Sequence, residues 1–288
     1  MAPSRFVMPE GLNYHAFYCV LDCRRPEMSE PNPHSVPAAG VDAAGAVAVN
    51  ATAFVAGGRA LDAARGWAWI AEGFELFKRK AGTWILITIV LGVIFIGLSV
   101  IPVVGTLANW ALFPVFAGGI MLGCHALAQE GELEFGHLFA GFRNRAGDLV
   151  VIGLVSIAAW IIVIIPVILA VGAGAFFATA RGDPGALAAI GPGILIAWLL
   201  ALALAVPVYM ALWFAPALVV LHGTPPIEAL KQSFRGCLRN VVPFLVYGIV
   251  LTFLGVIAVI PLGLGLLVLM PVIMASVYVS FRDIYFSA

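Results

Sequence analysis

Four stretches of this 288-residue chain, 84 to 128, 149 to 180, 184 to 227 and 240 to 281, contain no Lys, Arg, Asp or Glu. Each is longer than the about 20 apolar residues that carry a helix across a bilayer. A water-soluble fold does not tolerate such blocks: soluble domains carry roughly 25% charged residues, and this chain carries 10% against 62% hydrophobic. The chain therefore reads as a polytopic membrane protein. The first and last blocks contain central Pro/Gly clusters, Pro102-Val-Val-Gly105 and Pro261-Leu-Gly-Leu-Gly265. Read as tight turns, they split each block into two spans. The middle two blocks are separated by Ala180-Arg-Gly-Asp-Pro-Gly185. Six transmembrane helices result, and the fold class is all-α.

The first 60 residues are different in kind. They lack the apolar core of a signal peptide, carry four prolines between Pro26 and Pro37, and pass into Ala/Gly/Val low complexity from Ala38 to Gly58. Residues 1–60 are expected to be a disordered cytoplasmic tail ahead of a membrane domain at 61–288. Cys19 and Cys23 lie in that tail near His15, but their C-x-x-x-C spacing departs from the usual C-x-x-C pairs and no second pair follows. No metal or cofactor is assigned on that basis. Cys124 and Cys237 read as small apolar residues at helix surfaces.

Basic residues in short loops set the orientation of a membrane protein. Of the 15 Lys and Arg, 14 fall before the first span, between the second and third, between the fourth and fifth, or after the sixth. Arg181 alone falls on the other side. Both termini are therefore expected in the cytoplasm.

An internal repeat runs through the membrane domain. Phe139, Gly153 and Pro166 follow one another at spacings of 14 and 13, and Phe234, Gly248 and Pro261 repeat both; Phe77 and Pro102 make a looser third copy. Downstream come Phe-Pro-Val-Phe at 113 to 116, Val-Pro-Val-Tyr at 206 to 209 and Met-Pro-Val-Ile at 270 to 273. Pro102, Pro166 and Pro261 are thus expected to mark turns, and Pro114, Pro207 and Pro271 to mark where each second helix begins or bends. The units cover approximately 66–128, 133–222 with an insertion near 167–195, and 226–284. Each consists of a cytoplasmic interfacial helix and a helical hairpin.

The leading helix of each unit is amphipathic at helical spacing. Trp67, Ile70, Phe74 and Phe77 form the first apolar stripe, Phe135, Leu138, Phe139 and Phe142 the second, and Ile227, Leu230, Phe234, Leu238 and Val241 the third. Basic residues flank each stripe. Such helices suit the headgroup plane, where each Lys or Arg contributes about 1 kcal/mol of attraction to anionic lipid. Lys78, Arg79, Lys80, Arg143, Arg145, Lys231, Arg235, Arg239 and Arg282, with His125 and His222 at the cytoplasmic rim, are the candidate contacts for anionic headgroups or for partner membrane proteins. Nucleic acid is not among the expected partners.

From Gly66 to the C-terminus the chain resembles a family of six-span bacterial inner-membrane proteins allied to the YciC-like proteins. The resemblance is carried by Gly66-Trp-Ala-Trp-Ile with Gly73 and Leu76-Phe77, Gly131-Glu132, Phe214-Ala-Pro-Ala-Leu-Val219, Ala229 with Ser233-Phe234, Asn240 with Pro243-Phe244, and Ser276-Val-Tyr with Arg282-Asp283-Ile284. It implies six spans and a bacterial inner-membrane location, and it supplies no reaction, substrate or catalytic residue.

Chemistry inside a bilayer is normally done by ionisable groups, which are costly to place there. None of the six span cores contains one, which argues against transport coupled to protons or sodium through an intramembrane carboxylate. No G-x-S-x-G, H-E-x-x-H or phosphate loop is present. Glu130, Glu132 and Glu134 with His137 form an acidic patch before the second leading helix, and Asp148 sits near Arg143 and Arg145 as an ion-pair partner. The expectation is a non-enzymatic module that binds or moves a lipid or small apolar solute, or organises the membrane. The alternatives are a passive channel or uncoupled transporter along the repeat axis, and a membrane-embedded enzyme working at the cytoplasmic face, which would need those acidic and histidine groups in one cleft.

Overall fold

The computed structural model describes residues 54–181 and 186–286, with no side-chain detail at 174, 175 and 177–192. Helices α1 (Arg65–Arg79), α2 (Ala81–Ser99) and α3 (Val104–Ala128) are followed by a 3₁₀ helix, Phe135–Phe139, that runs into α4 (Ala140–Arg143). Then come α5 (Ala146–Arg181), α6 (Ala186–Trp213), α7 (Ala215–His222), α8 (Pro226–Arg239), α9 (Val241–Val259) and α10 (Leu266–Tyr285). Six segments are long and apolar enough to cross a membrane: α2, α3, the first 28 residues of α5, Gly193–His222 across α6 and α7, α9, and α10. The described residues contain no strand; Phe54 and Phe286 form an isolated bridge.

Two of the expected turns are present. Between α2 and α3 the chain reverses at 100–103, with Val103 at φ +61°; between α9 and α10, Leu262 and Gly263 adopt φ +54° and +79°. Pro166 is a correction. It lies inside α5, which continues to Arg181 over 36 residues, roughly 54 Å at 1.5 Å per residue against a hydrocarbon core of about 30 Å. The inserted sequence extends this hairpin as helix in place of a tight turn. Asp183, Cys19 and Cys23 fall outside the described residues, as does the tail up to residue 53. Pro114 and Pro271 lie inside α3 and α10, and Pro207 lies inside α6. The second helix of each hairpin begins before its Pro-Val pair.

The spans form two sets. Over a membrane-length stretch of 18 residues, α3 and α10 are 56% buried, whereas α2, α5, α9 and the Gly193–His222 span are 11–17% buried. The inner pair, α3 and α10, is therefore wrapped by the others. The shorter helices α1, α4 and α8 sit at the end of the bundle opposite the α2–α3 and α9–α10 turns, called here the basic end. Each packs on spans of a different hairpin from the one it leads into: α1 on α9 and α10, the 3₁₀ helix and α4 on α3, and α8 on α6 and α7.

Small residues make these contacts, as expected where lipid removes the hydrophobic drive between helices. A Cβ on Gly73 would lie 2.8 Å from the Ser276 nitrogen of α10, and a Cβ on Gly141 would run into the Val115 carbonyl of α3. At the third contact a hydroxyl intrudes. Pro216 cannot donate to the helix ladder, and the chain bends at Phe214 between α6 and α7. Ser233 of α8 takes up the freed groups, donating to the Met210 carbonyl at 2.7 Å and accepting from the Phe214 N–H at 2.9 Å.

Residues 54–61 form a strap across the basic end. The Val55 and Arg59 N–H groups donate to the Tyr285 and Ile284 carbonyls at 2.8 and 2.9 Å. Buried Asn240 donates to the Arg59 and Gly236 carbonyls at 2.8 Å each and accepts from the Leu61 N–H at 2.9 Å. Phe54 stacks on His222 with ring centroids 3.5 Å apart. Residues 54–60, grouped with the tail on composition, pack here against the membrane domain.

Candidate functional site

A cavity of about 460 Å³, bounded by α2, α3, α5, α6, α7 and α10, is capable of holding a ligand. That volume lies within the roughly 300–1,000 Å³ of ordinary ligand pockets. Two of the helix-interior prolines mark its walls: Pro114 lines one side, while Met270, Ile273 and Met274 around Pro271 line another. Along α3 it extends from Trp110 to Met121, roughly 16 Å at 1.5 Å per residue. Its two ends differ. Trp110, Phe113, Tyr209 and Met270 are 37–59% exposed, whereas Leu91, Phe116, Ile120, Met121 and Ile152 are at most 5% exposed. The cavity therefore opens on the side of the hairpin turns and closes toward the basic end.

Its lining is almost wholly apolar. Ser156 is a polar member, and its hydroxyl donates to the Gly153 carbonyl of its own helix at 2.7 Å. Trp110, Trp160, Tyr209 and Trp213 add aromatic walls, with Trp160 against Tyr209 edge-on at 4.9 Å. The Trp213 Nε1 is buried without a hydrogen-bond partner. No charged side chain lines the cavity, and its walls suit apolar matter. A smaller cavity of about 290 Å³ lies between α6 and the α8–α9 junction, and Tyr209 and Trp213 line both. Cys237 lines the smaller one; burial pushes its thiol up to about 12, which keeps it inert as a nucleophile at neutral pH.

The sequence-derived cations divide into paired and unpaired. Lys78 bonds Glu75 at 2.7 Å and lies over the Phe74 ring, Lys80 bonds Glu132 at 2.7 Å, and Arg145 bonds Asp148 at 2.7 Å. The Lys80 hydrogen bond holds the Glu132 carboxyl below its ordinary value. Arg282 reaches Glu72 at 3.4 Å. Arg79 donates to the Leu127 carbonyl at the end of α3, and Arg239 to the Gly58 carbonyl of the strap. Arg143, Lys231 and Arg235 face no carboxylate within ion-pair distance among the described residues.

The histidines are spread out. His125 Nδ1 lies 3.1 Å from the Tyr278 hydroxyl below the cavity floor, His137 Nδ1 accepts from the Glu134 N–H at 3.0 Å, and His222 stacks on Phe54. Glu132 and Asp148 are bound to separate cations, Lys80 and Arg145. No cluster of three metal-ligating side chains occurs among the described residues.

Sequence reasoning missed the cavity walls. Trp110, Trp160, Tyr209, Trp213 and the α10 methionines read as ordinary span residues, and only the nearby Pro-Val pairs pointed toward them. It also missed the centre of the basic end, Asp283. That carboxylate accepts from Arg65 Nε at 2.6 Å and from Trp69 Nε1 at 3.0 Å, while Arg65 also bonds Glu72 at 2.8 Å. This network ties α1 to α10.

No family model matches the chain, and no solved structure matches it. A protein of Burkholderia thailandensis described as a probable inner membrane protein is 32% identical over 253 residues, covering 78% of this chain and 91% of that protein. With six segments of membrane-spanning length and this relationship, the chain belongs to the same family of multi-pass inner-membrane proteins.

Proposed function

We propose that this protein takes up a single apolar ligand from the membrane, a lipid acyl chain or a small apolar solute, in the cavity between its inner and outer spans, without covalent chemistry. The observation that carries the reading is the cavity itself: about 460 Å³, uncharged, exposed at Phe113 and Met270 and closed at Ile120 and Met121. A passive channel along the axis has less support, because buried Phe116, Ile120, Met121 and Ile152 close the cavity before the basic end.

The three-unit organisation belongs to this reading. Each unit is a short leading helix followed by a hairpin, and each leading helix braces the second span of another unit: α1 on α10, α4 on α3, α8 on α6 and α7. Three such braces close a ring. The interfacial placement of the leading helices is supported by what faces outward. On α8, Ile227 and Leu238 are 51% and 55% exposed, while Ala229, Gln232, Ser233, Gly236 and Cys237 face the protein. Outward apolar residues beside outward cations fit a headgroup plane. The basic end is then cytoplasmic by the positive-inside rule, with both termini there, and its cations meet anionic headgroups or partner membrane proteins. Kinship with the YciC-like proteins, carried by the stretches quoted above, is part of the same reading.

Filling the cavity tests the proposal. Ala117 lines it, and Ala117→Trp should remove most binding of a fluorescent acyl-chain probe while the protein remains monodisperse. Wild-type protein with no saturable binding, or a variant that binds as wild type does, would rule the cavity out.

A further inference from the structure

The ring of spans has one unsealed joint. The second span of the first hairpin, α3, packs along α5, and α10 packs along α2, but the corresponding pair, α6 and α9, makes no comparable packing. These two helices meet through aromatic rings near the basic end, Trp213 against Phe244 and Tyr247 at 6.0 and 6.3 Å. Beside this bridge lies the cavity of about 290 Å³, lined by Val206, Tyr209, Met210, Val241 and Leu245 with Cys237 of α8 at its edge. On α9 the face that begins at Leu245 continues outward through Ile249 and Phe253, 57–69% exposed. The joint is therefore an apolar slot open to the side of the bundle.

What fills it follows from size and charge. A helix with its side chains is about 10–12 Å across, too wide for a joint drawn together by ring contacts near 6 Å; an acyl chain is not. The helix lying over the basic end of the slot, α8, carries Lys231, Arg235 and Arg239 against one carboxylate, Glu228. Glu228 accepts from Gln232 at 3.3 Å, and Lys231 and Arg235 are exposed and face no carboxylate among the described residues. We infer that the slot between α6 and α9 is a binding site for one anionic phospholipid, its acyl chain against Tyr209, Trp213 and Leu245 and its phosphate beside Lys231 and Arg235. The site rests on the reading of α8 as an interfacial helix, and it is separate from the central cavity and its ligand.

Native mass spectrometry of the full chain, released from nanodiscs containing equal phosphatidylglycerol and phosphatidylcholine, reads the site. Wild-type protein should retain phosphatidylglycerol in preference to phosphatidylcholine. Lys231→Gln with Arg235→Gln should reduce phosphatidylglycerol retention at least about tenfold, since each charge acts directly on the headgroup. Arg143→Gln, an unpaired cation away from the slot, should not. Leu245→Trp should displace the chain and remove both lipids, and Ala117→Trp should leave this lipid in place even where it abolishes probe binding in the central cavity. Two results would overturn the inference: equal retention of the two phospholipids by wild-type protein, or undiminished phosphatidylglycerol in the monodisperse double-charge variant. Loss of a dimer in Leu245→Trp with lipid retention unchanged would also overturn it, in favour of a second copy in the slot. Quenching of a tryptophan placed at Leu238 by lipids brominated near the headgroup tests the placement of α8 by itself.

Discussion

At the residue scale, the molecule is held together by positions where a side chain is missing. Gly141 and Gly119 let the 3₁₀ helix and α4 lie directly on α3: a Cβ on Gly141 would run into the Val115 carbonyl, and one on Gly119 would lie 3.0 Å from the Leu138 carbonyl. Backbone does not yield as a flexible side chain does. Gly141→Leu should therefore destabilise the protein by about 1–3 kcal/mol, seen as a lower apparent Tm in detergent. Gly82→Leu should leave Tm unchanged, because nothing lies within 4 Å of a Cβ there. Equal effects at the two sites would mean that helix propensity, not close approach, governs the response. The sequence did not distinguish Gly141 from Gly82. Close approach depends on which backbone lies opposite, and a single helix carries no record of that.

At the element scale, the leading helices were legible as helices, and which of their residues pack against the other spans was not. The stripe Trp67, Ile70, Phe74 and Phe77 divides: Trp67 and Phe74 are 57% and 41% exposed, while Ile70 and Phe77 are buried together with Trp69, Gly73 and Leu76. On α8, Ile227 and Leu238 of the apolar stripe face outward, Leu230 and Phe234 are half-buried, and the small and polar residues face the protein. In water the apolar stripe identifies the core; beside lipid it does not, because lipid tails are as apolar as leucine and small residues give the closer helix contact. Pro166 was misread for a related reason. A proline in an apolar run has the same signature as a turn or as a helix-interior position, and only the length of helix beyond it, to Arg181, separates them. Besides its backbone bonds to Tyr285 and Ile284, the strap is held by a side chain at the junction of α8 and α9. Asn240 bonds Arg59, Leu61 and Gly236 backbone from a fully buried position. Asn240→Ala leaves those groups unpartnered, at about 1–3 kcal/mol for a buried one. Limited proteolysis should cut the variant between residues 54 and 64 markedly faster than wild type, and equal cleavage rates would show that the strap is held elsewhere.

At the scale of the whole molecule, the charge-free blocks marked all six spans, because placing a charge in a bilayer costs enough to leave a clear trace in sequence. The two short turns were marked equally well by Pro102-Val-Val-Gly105 and Pro261-Leu-Gly-Leu-Gly265. The cavity left no comparable trace: its walls come from five spans, and each contributing residue is of a kind that lipid-facing positions also use. Its central place in the account makes its occupancy the measurement that matters most. Full-length protein in nanodiscs can be labelled with a phospholipid carrying a photoreactive group along its acyl chain, and the adducts mapped by mass spectrometry. The account predicts adducts concentrated on the cavity walls of α3 and α10, at residues such as Phe113, Met121 and Met274, and lost in Ala117→Trp. Adducts confined to the outward faces of α2 and α9, at Ile96 and Phe253, and unchanged by Ala117→Trp, would contradict it.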